Sequence, residues 1–68
     1  MTTTGMTLKQ FARHRFFKLC EEMREAVKHT DTEEGRRAYI LLALQLHAAK
    51  GGVPKSLWKY ANRAARGE

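Results

Sequence analysis

The sequence predicts an all-α fold of three helices, and three observations carry that prediction. Apolar residues recur at helical spacing from Leu8 to about His29 and again from about Thr32 to Lys50. No stretch alternates as a strand does. Glycine and proline are few and fall where helices should end. The expected arrangement is two long antiparallel helices, about 8–29 and 32–50, with a short C-terminal helix, about 54–66. Sixty-eight residues allow one small helical domain, 1–68, in which 1–6 are expected to be flexible.

The first helix should start after Thr7. Thr7-Leu8-Lys9-Gln10 fits a capping box, in which the threonine hydroxyl and the glutamine side chain satisfy each other's free amides. Leu8, Ala12, Phe16, Leu19, Cys20, Met23, Ala26 and Val27 project on one face. Phe11 and Phe17 do not join it and stand among charged residues. Thr30-Asp31-Thr32 is a polar break. Asp31 with Glu34, or Thr30 with Glu33, offers a second capping signal, and acids at 31, 33 and 34 suit the positive end of a helix dipole. Gly35 in the first turn is unfavourable by up to ~1 kcal/mol relative to alanine. Its presence suggests close approach of another backbone. Gly51-Gly52 should end the second helix with a left-handed cap.

That second helix is apolar on two sectors. Ala38, Leu42, Leu46 and Ala49 form one; Ile40, Leu41, Leu44 and Ala48 form the other. Between them runs a polar arc of Arg36, Ala43, His47 and Lys50, with Tyr39 on its rim. Helix one can cover one sector. Each buried Leu or Ile is worth roughly 1.5–3 kcal/mol, so a wet second sector is costly. The expected answer is a homodimeric helical bundle with Ile40, Leu41, Leu44 and Ala48 in the dimer core. The competing answer is a monomer whose last segment folds over helix two. Val53-Pro54 opens that segment, with Pro54 at the first helical position. Leu57, Trp58, Tyr60, Ala61, Ala64 and Ala65 fall on one side of it and Lys55, Lys59, Arg63 and Arg66 on the other. Trp58 or Leu57 is expected to pack on Phe17 or Phe11.

The formal charge is +6, unevenly placed. Residues 1–34 hold six basic and six acidic residues, whereas 35–68 hold seven basic and one acidic. Such asymmetry suggests an acidic partner, or simply a solubilising surface. The opening MTTTGMTLKQ lacks the apolar core of a signal peptide, and the longest apolar run, Ala38 to Leu44, is too short to span a bilayer. A cytoplasmic location is expected.

Little suggests catalysis. Cys20 lies on an apolar face, where a thiol acts as a small hydrophobe. His14, His29 and His47 are scattered, with no paired spacing for a metal. No phosphate-binding glycine loop occurs. The chain is therefore expected to be non-enzymatic, without cofactor or metal. Two binding surfaces remain. Lys55, Lys59, Arg63 and Arg66 could contact phosphates, although few side chains suit base edges. The arc of Arg36, Tyr39, Ala43, His47 and Lys50 offers tyrosine and arginine, the residues most often carrying protein–protein binding energy. The competing view makes Tyr39 a core-edge residue with its hydroxyl in water. The helices are too long and too apolar for a helix-turn-helix. The last helix could lie on a membrane surface, but its apolar face is mostly alanine, and no membrane partner is expected.

The opening MTTTGMTLKQFARHRFFKLCEE, the YILLALQL helix and the SLWKYANRAARGE tail together resemble small phage-encoded quorum-sensing anti-activators. The resemblance covers essentially the whole chain. It implies a non-enzymatic homodimer in the host bacterial cytoplasm that binds a LuxR-type transcription activator and keeps it from its promoters. It also implies inhibition of the ATPase that assembles type IV pili. The competing class is a small dimeric DNA-binding regulator that uses the basic C-terminal helix.

Overall fold

Thr7 opens the first helix as its spacing predicts. Its hydroxyl accepts from the Gln10 amide at 3.1 Å, and the Gln10 side chain accepts from the Thr7 amide at 3.0 Å. The structure is a computed structural model that describes residues 7–68. The expected flexibility of residues 1–6 concerns positions outside that range. Helix α1 spans Leu8–Val27, α2 spans Glu33–Ala49 and α3 spans Trp58–Ala65. Short 3-10 turns at Lys50–Gly52 and Lys55–Leu57 link α2 to α3, and no strand occurs among the described residues.

The expected ends move where local hydrogen bonds win. After Val27, the Lys28 and His29 amides bond back to Glu25 and Ala26, tightening the helix into a turn. The cap of α2 is Thr32, not Asp31 or Thr30. Its hydroxyl donates to the His29 carbonyl at 2.8 Å and accepts from the Gly35 amide at 2.9 Å. A hydroxyl can do both at once and a carboxylate cannot, so Thr32 ties the end of α1 to the start of α2. Gly51 and Gly52 form no left-handed cap. They continue α2 into the 3-10 turn, and the chain then leaves through extended Val53. The left-handed glycine is Gly67, at φ 80°, where its amide bonds Ala64 and that of Glu68 bonds Arg63, a Schellman closure of α3. Pro54 is extended and precedes a 3-10 turn, so α3 begins only at Trp58.

α1 and α2 run antiparallel. Gly35 approaches His29 at one end, while Gly52 lies against Ala12 at the other. The core is built on α1, through Phe16, Leu19, Cys20 and Met23, and is closed by Leu46 of α2, by Val53, and by Ala61 and Ala64 of α3. Alanines on α3 let its backbone come close to α1. Trp58 anchors the junction by donating from Nε1 to the Lys50 carbonyl at 3.0 Å. Among the described residues Trp58 makes no ring pair with Phe17 or Phe11. Phe17 meets Tyr60 instead, edge to face with ring centres 5.6 Å apart, and meets Phe16 at 5.4 Å. Leu8, expected on the buried face, is 90% exposed, because the core begins two turns later at Phe16.

Gly35 is required by packing. A β-carbon there would fall on the His29 carbonyl group. An exposed helical glycine gains up to ~1 kcal/mol on conversion to alanine, but here the sign reverses. Gly35→Ala should lose about 2 kcal/mol in urea denaturation, the ordinary scale of overpacking. Gly51→Ala, with nothing near its added carbon, should stay within about 0.5 kcal/mol of the parent.

Cys20 is 3% exposed, and its burial pushes the thiol pKa above the usual value, partly opposed by the charge of Arg24. The native thiol should alkylate at least about ten-fold more slowly than in urea at the same pH, since the thiolate is the nucleophile. The raised folded value also fixes a sign. The contribution is whole below the ordinary thiol pKa and is lost as pH rises through the folded one, because the unfolded chain ionises first. Stability measured up the alkaline side should fall accordingly, and Cys20→Ala should remove that part of the slope.

Candidate functional site

The second apolar sector of α2 stands in solvent. Ile40, Leu41 and Leu44 are 58%, 59% and 65% exposed, and Ala48 is exposed beside them. The first sector does face α1: Leu46 is buried, and Ala38, Leu42 and Ala49 are half-buried. In the single chain α3 packs on α1, so the last segment does not cover the second sector as the competing monomer required. The strip ends at the Glu33–Arg37 pair on one side, with oxygen and nitrogen 3.5 Å apart. At its other end it runs into a shallow cleft where Phe11 and Ala12 of α1 meet Ala48 and Ala49. Phe11, 56% exposed, thus joins the same apolar strip from a neighbouring helix. Projecting one helix at a time could not show that junction.

The polar arc lies beside this strip and divides in two. Ala43, His47 and Lys50 form one wall of a slot of about 150 Å³. Ala61, Asn62 and Ala65 of α3 form the other wall, and Met23 and Leu46 the floor. The small side chains on both walls keep the slot open. No motif in the sequence ties Asn62, Ala61 and Ala65 to the arc. Two alanines four residues apart were the only hint, and they read equally well as ordinary helix packing.

Tyr39, one turn before Ala43, is half-buried and packs against the core. Its position is that of a core-edge ring that still shows a surface. Arg36 turns away from the slot and donates to the Thr30 carbonyl at 3.4 Å. Lys50 has local duties as well. Its carbonyl holds Trp58, and its ammonium stands 5.7 Å from the centre of that ring.

The basic face of the last segment is exposed at Lys55, Lys59, Arg63 and Arg66. Several of its charges already have intramolecular company. Lys55 stands 5.9 Å from the Trp58 ring, Lys59 stands 5.4 Å from Tyr60, and Arg66 pairs with Glu68 at 3.2 Å. Exposed contacts of this kind are worth about 1 kcal/mol or less each, so they orient these side chains without neutralising the surface.

The acids collect elsewhere. Glu22, Glu25 and Glu34, with His29, surround an open groove at the α1–α2 turn, over a floor of Ala26, Ala38 and Leu42. Glu25 there holds Lys28 and His29 at 3.6 and 3.7 Å. The molecule is therefore polar in charge, acidic at the turn and basic along the last segment. No group of three metal-ligating side chains comes together among the described residues, and no helix of the structure is long and apolar enough to cross a membrane.

Compared with protein-family models, with curated proteins and with solved structures, the chain matches none.

Proposed function

We propose that the chain is a non-enzymatic protein-interaction module that pairs with a second copy of itself through the outer strip of α2. In this reading the dimer binds a bacterial LuxR-type transcription activator and blocks it. The uncovered strip of Ile40, Leu41, Leu44 and Ala48 is the observation that carries the proposal. Its three large side chains retain about 3–5 kcal/mol of unrealised burial per chain. Two chains together, about 6–10 kcal/mol, fall within the ~4–15 kcal/mol that association costs. Phe11, continuous with the strip, adds the margin such a dimer needs.

The partner class comes from the likeness of the chain to phage-encoded anti-activators, and the slot beside Tyr39 is where it fits best. Tyr39, Ala43, His47 and Lys50 offer an aromatic edge, a gap and two polar ends. A basic surface does not imitate DNA, so inhibition works by covering the activator's own surface. Binding of a pilus assembly ATPase through the same dimer is part of the reading implied by that likeness. The second reading is a DNA-binding regulator using Lys55, Lys59, Arg63 and Arg66, favoured by their common exposure along one segment.

Sedimentation equilibrium and capture of a purified LuxR-type activator separate these readings. The parent should sediment at twice its 7.8 kDa chain mass. Leu44→Glu should sediment as a monomer with unchanged helical circular dichroism, and so should Ile40→Glu. Tyr39→Ala should remain dimeric and lose at least about ten-fold in activator affinity, the scale of an aromatic hot spot. A parent that stays monomeric at about 100 μM, a concentration at which ~5 kcal/mol of net association would populate dimer, rules out the pairing. DNA affinity that falls steeply with salt and disappears on replacing Lys55, Lys59 and Arg63 by alanine would instead establish the regulator.

A further inference from the structure

A further cavity, between α1 and α3, has a different chemistry. It lies where α1 meets α3, encloses about 340 Å³, and is lined by Phe17, Cys20, Arg24, Tyr60, Arg63 and Glu68. Phe17 and Tyr60 form an aromatic wall, locked edge to face. The nearly buried Cys20 thiol forms part of the floor. Arg24, one turn from the end of α1, and Arg63, in the last turn of α3, bring two guanidinium groups to the same space.

Neither arginine has an acidic partner among the described residues. The ion pairs there are Lys28 and His29 with Glu25, Arg37 with Glu33, and Arg66 with Glu68. The carboxylate on the rim, Glu68, is thus turned to Arg66. Both arginines line the cavity with exposed side chains, and the charge of Arg24 is felt at the Cys20 thiol beside it. Two like charges over one concavity repel until an anion sits between them. Guanidinium groups bind carboxylate and phosphate oxygens through paired, charge-assisted hydrogen bonds. The aromatic wall supplies an apolar surface beside that charge, and the volume suits one ring with one charged head.

The geometry points to a binding site for a small anionic group, carboxylate or phosphate, carried on an aromatic or short apolar body, with Arg24 and Arg63 holding the anion and Phe17 and Tyr60 the body. The site does not depend on the dimer or on the activator, since it uses none of the residues of the α2 strip or the slot. An acidic side chain of a protein and a free phosphate ester share this chemistry.

The test is an amide-shift titration of the 15N-labelled full chain with phenyl phosphate, with phenylacetate, and with uncharged benzyl alcohol. The site predicts saturable shifts centred on Phe17, Cys20, Tyr60 and Arg63 for the two anions and much weaker ones for the alcohol. All the charged side chains involved are exposed, so Arg24→Gln with Arg63→Gln should keep the parent spectrum elsewhere. That pair of changes should weaken anion binding by at least about ten-fold, the loss of a charge-assisted contact. Glu68→Gln removes a competing negative charge and should tighten it. Tighter phenyl phosphate identifies a phosphate ester as the natural ligand class, and tighter phenylacetate a carboxylate. Three results overturn the site: no saturable response by about 10 mM, a range in which ~2.7 kcal/mol of binding is visible; equal response to benzyl alcohol; or anion binding that survives in the double variant and centres on Lys55 and Lys59.

Discussion

The contact between Gly35 and the His29 carbonyl sets how near α2 begins to α1, and the rest of the structure follows from it. With no β-carbon at 35, the first turn of α2 lies directly on the end of α1, and Thr32 ties the two ends with one hydroxyl. α2 then runs back close along α1, reaching Ala12 with Gly52 at the far end. α1 becomes the shared support: α2 takes one side of its apolar face and α3 another. Phe16 and Met23 are fully enclosed for that reason, whereas α2 buries only Leu46 and Gly35 completely. Among the described residues no further helix lies over α2. Its outer strip is a consequence of which helix sits at the centre.

The link between α2 and α3 decides what remains open. A left-handed cap at Gly51-Gly52 would have turned the chain sharply. The 3-10 turn followed by extended Val53 and Pro54 instead carries it past Ala12 of α1 and inserts Val53 into the core. The Trp58–Lys50 hydrogen bond then fixes the start of α3. The buried side chains of α3 are alanines, so it sits close to α1 and leaves a slot against α2. The slot and the arginine-lined cavity are two outcomes of the same choice. One lies on each side of a thin helix.

Much of this was legible in the sequence, and the remainder has physical reasons. The capping box at Thr7, the buried face from Phe16 to Ala26, the two apolar sectors of α2 and the need for Gly35 all follow from period and local chemistry. Each depends on residues within one or two turns of each other. What failed depended on distance. Leu8 belongs to the apolar period but lies beyond the reach of the other helices. Phe17 finds Tyr60 and Trp58 finds a backbone carbonyl because α3 starts four residues later than Pro54 suggests, which rotates its whole face. Thr32 is the cap because its hydroxyl serves both helix ends, which the Asp31 carboxylate cannot do, whereas the Thr30 hydroxyl donates back to the Val27 carbonyl. Arg24 and Arg63 were separately ordinary surface arginines, and only the packing of α3 on α1 made them neighbours of one cavity.

The outer strip and the slot lie on adjacent sides of α2, and this bears on how one small chain could hold two partners. On the proposed pairing, a second copy covers Ile40, Leu41 and Leu44 but not the wall of Ala43, His47 and Lys50. Tyr39 stands at the boundary between them. A protein docking at the slot would then touch both subunits near that boundary, and its affinity would depend on the pair being formed. Each dimer would present two such slots related by its symmetry. That symmetry suits a partner that is itself two-fold, whose halves would be held in one fixed register. An inhibitor built this way gains its hold from two modest contacts made at once, so it needs no deep pocket of its own.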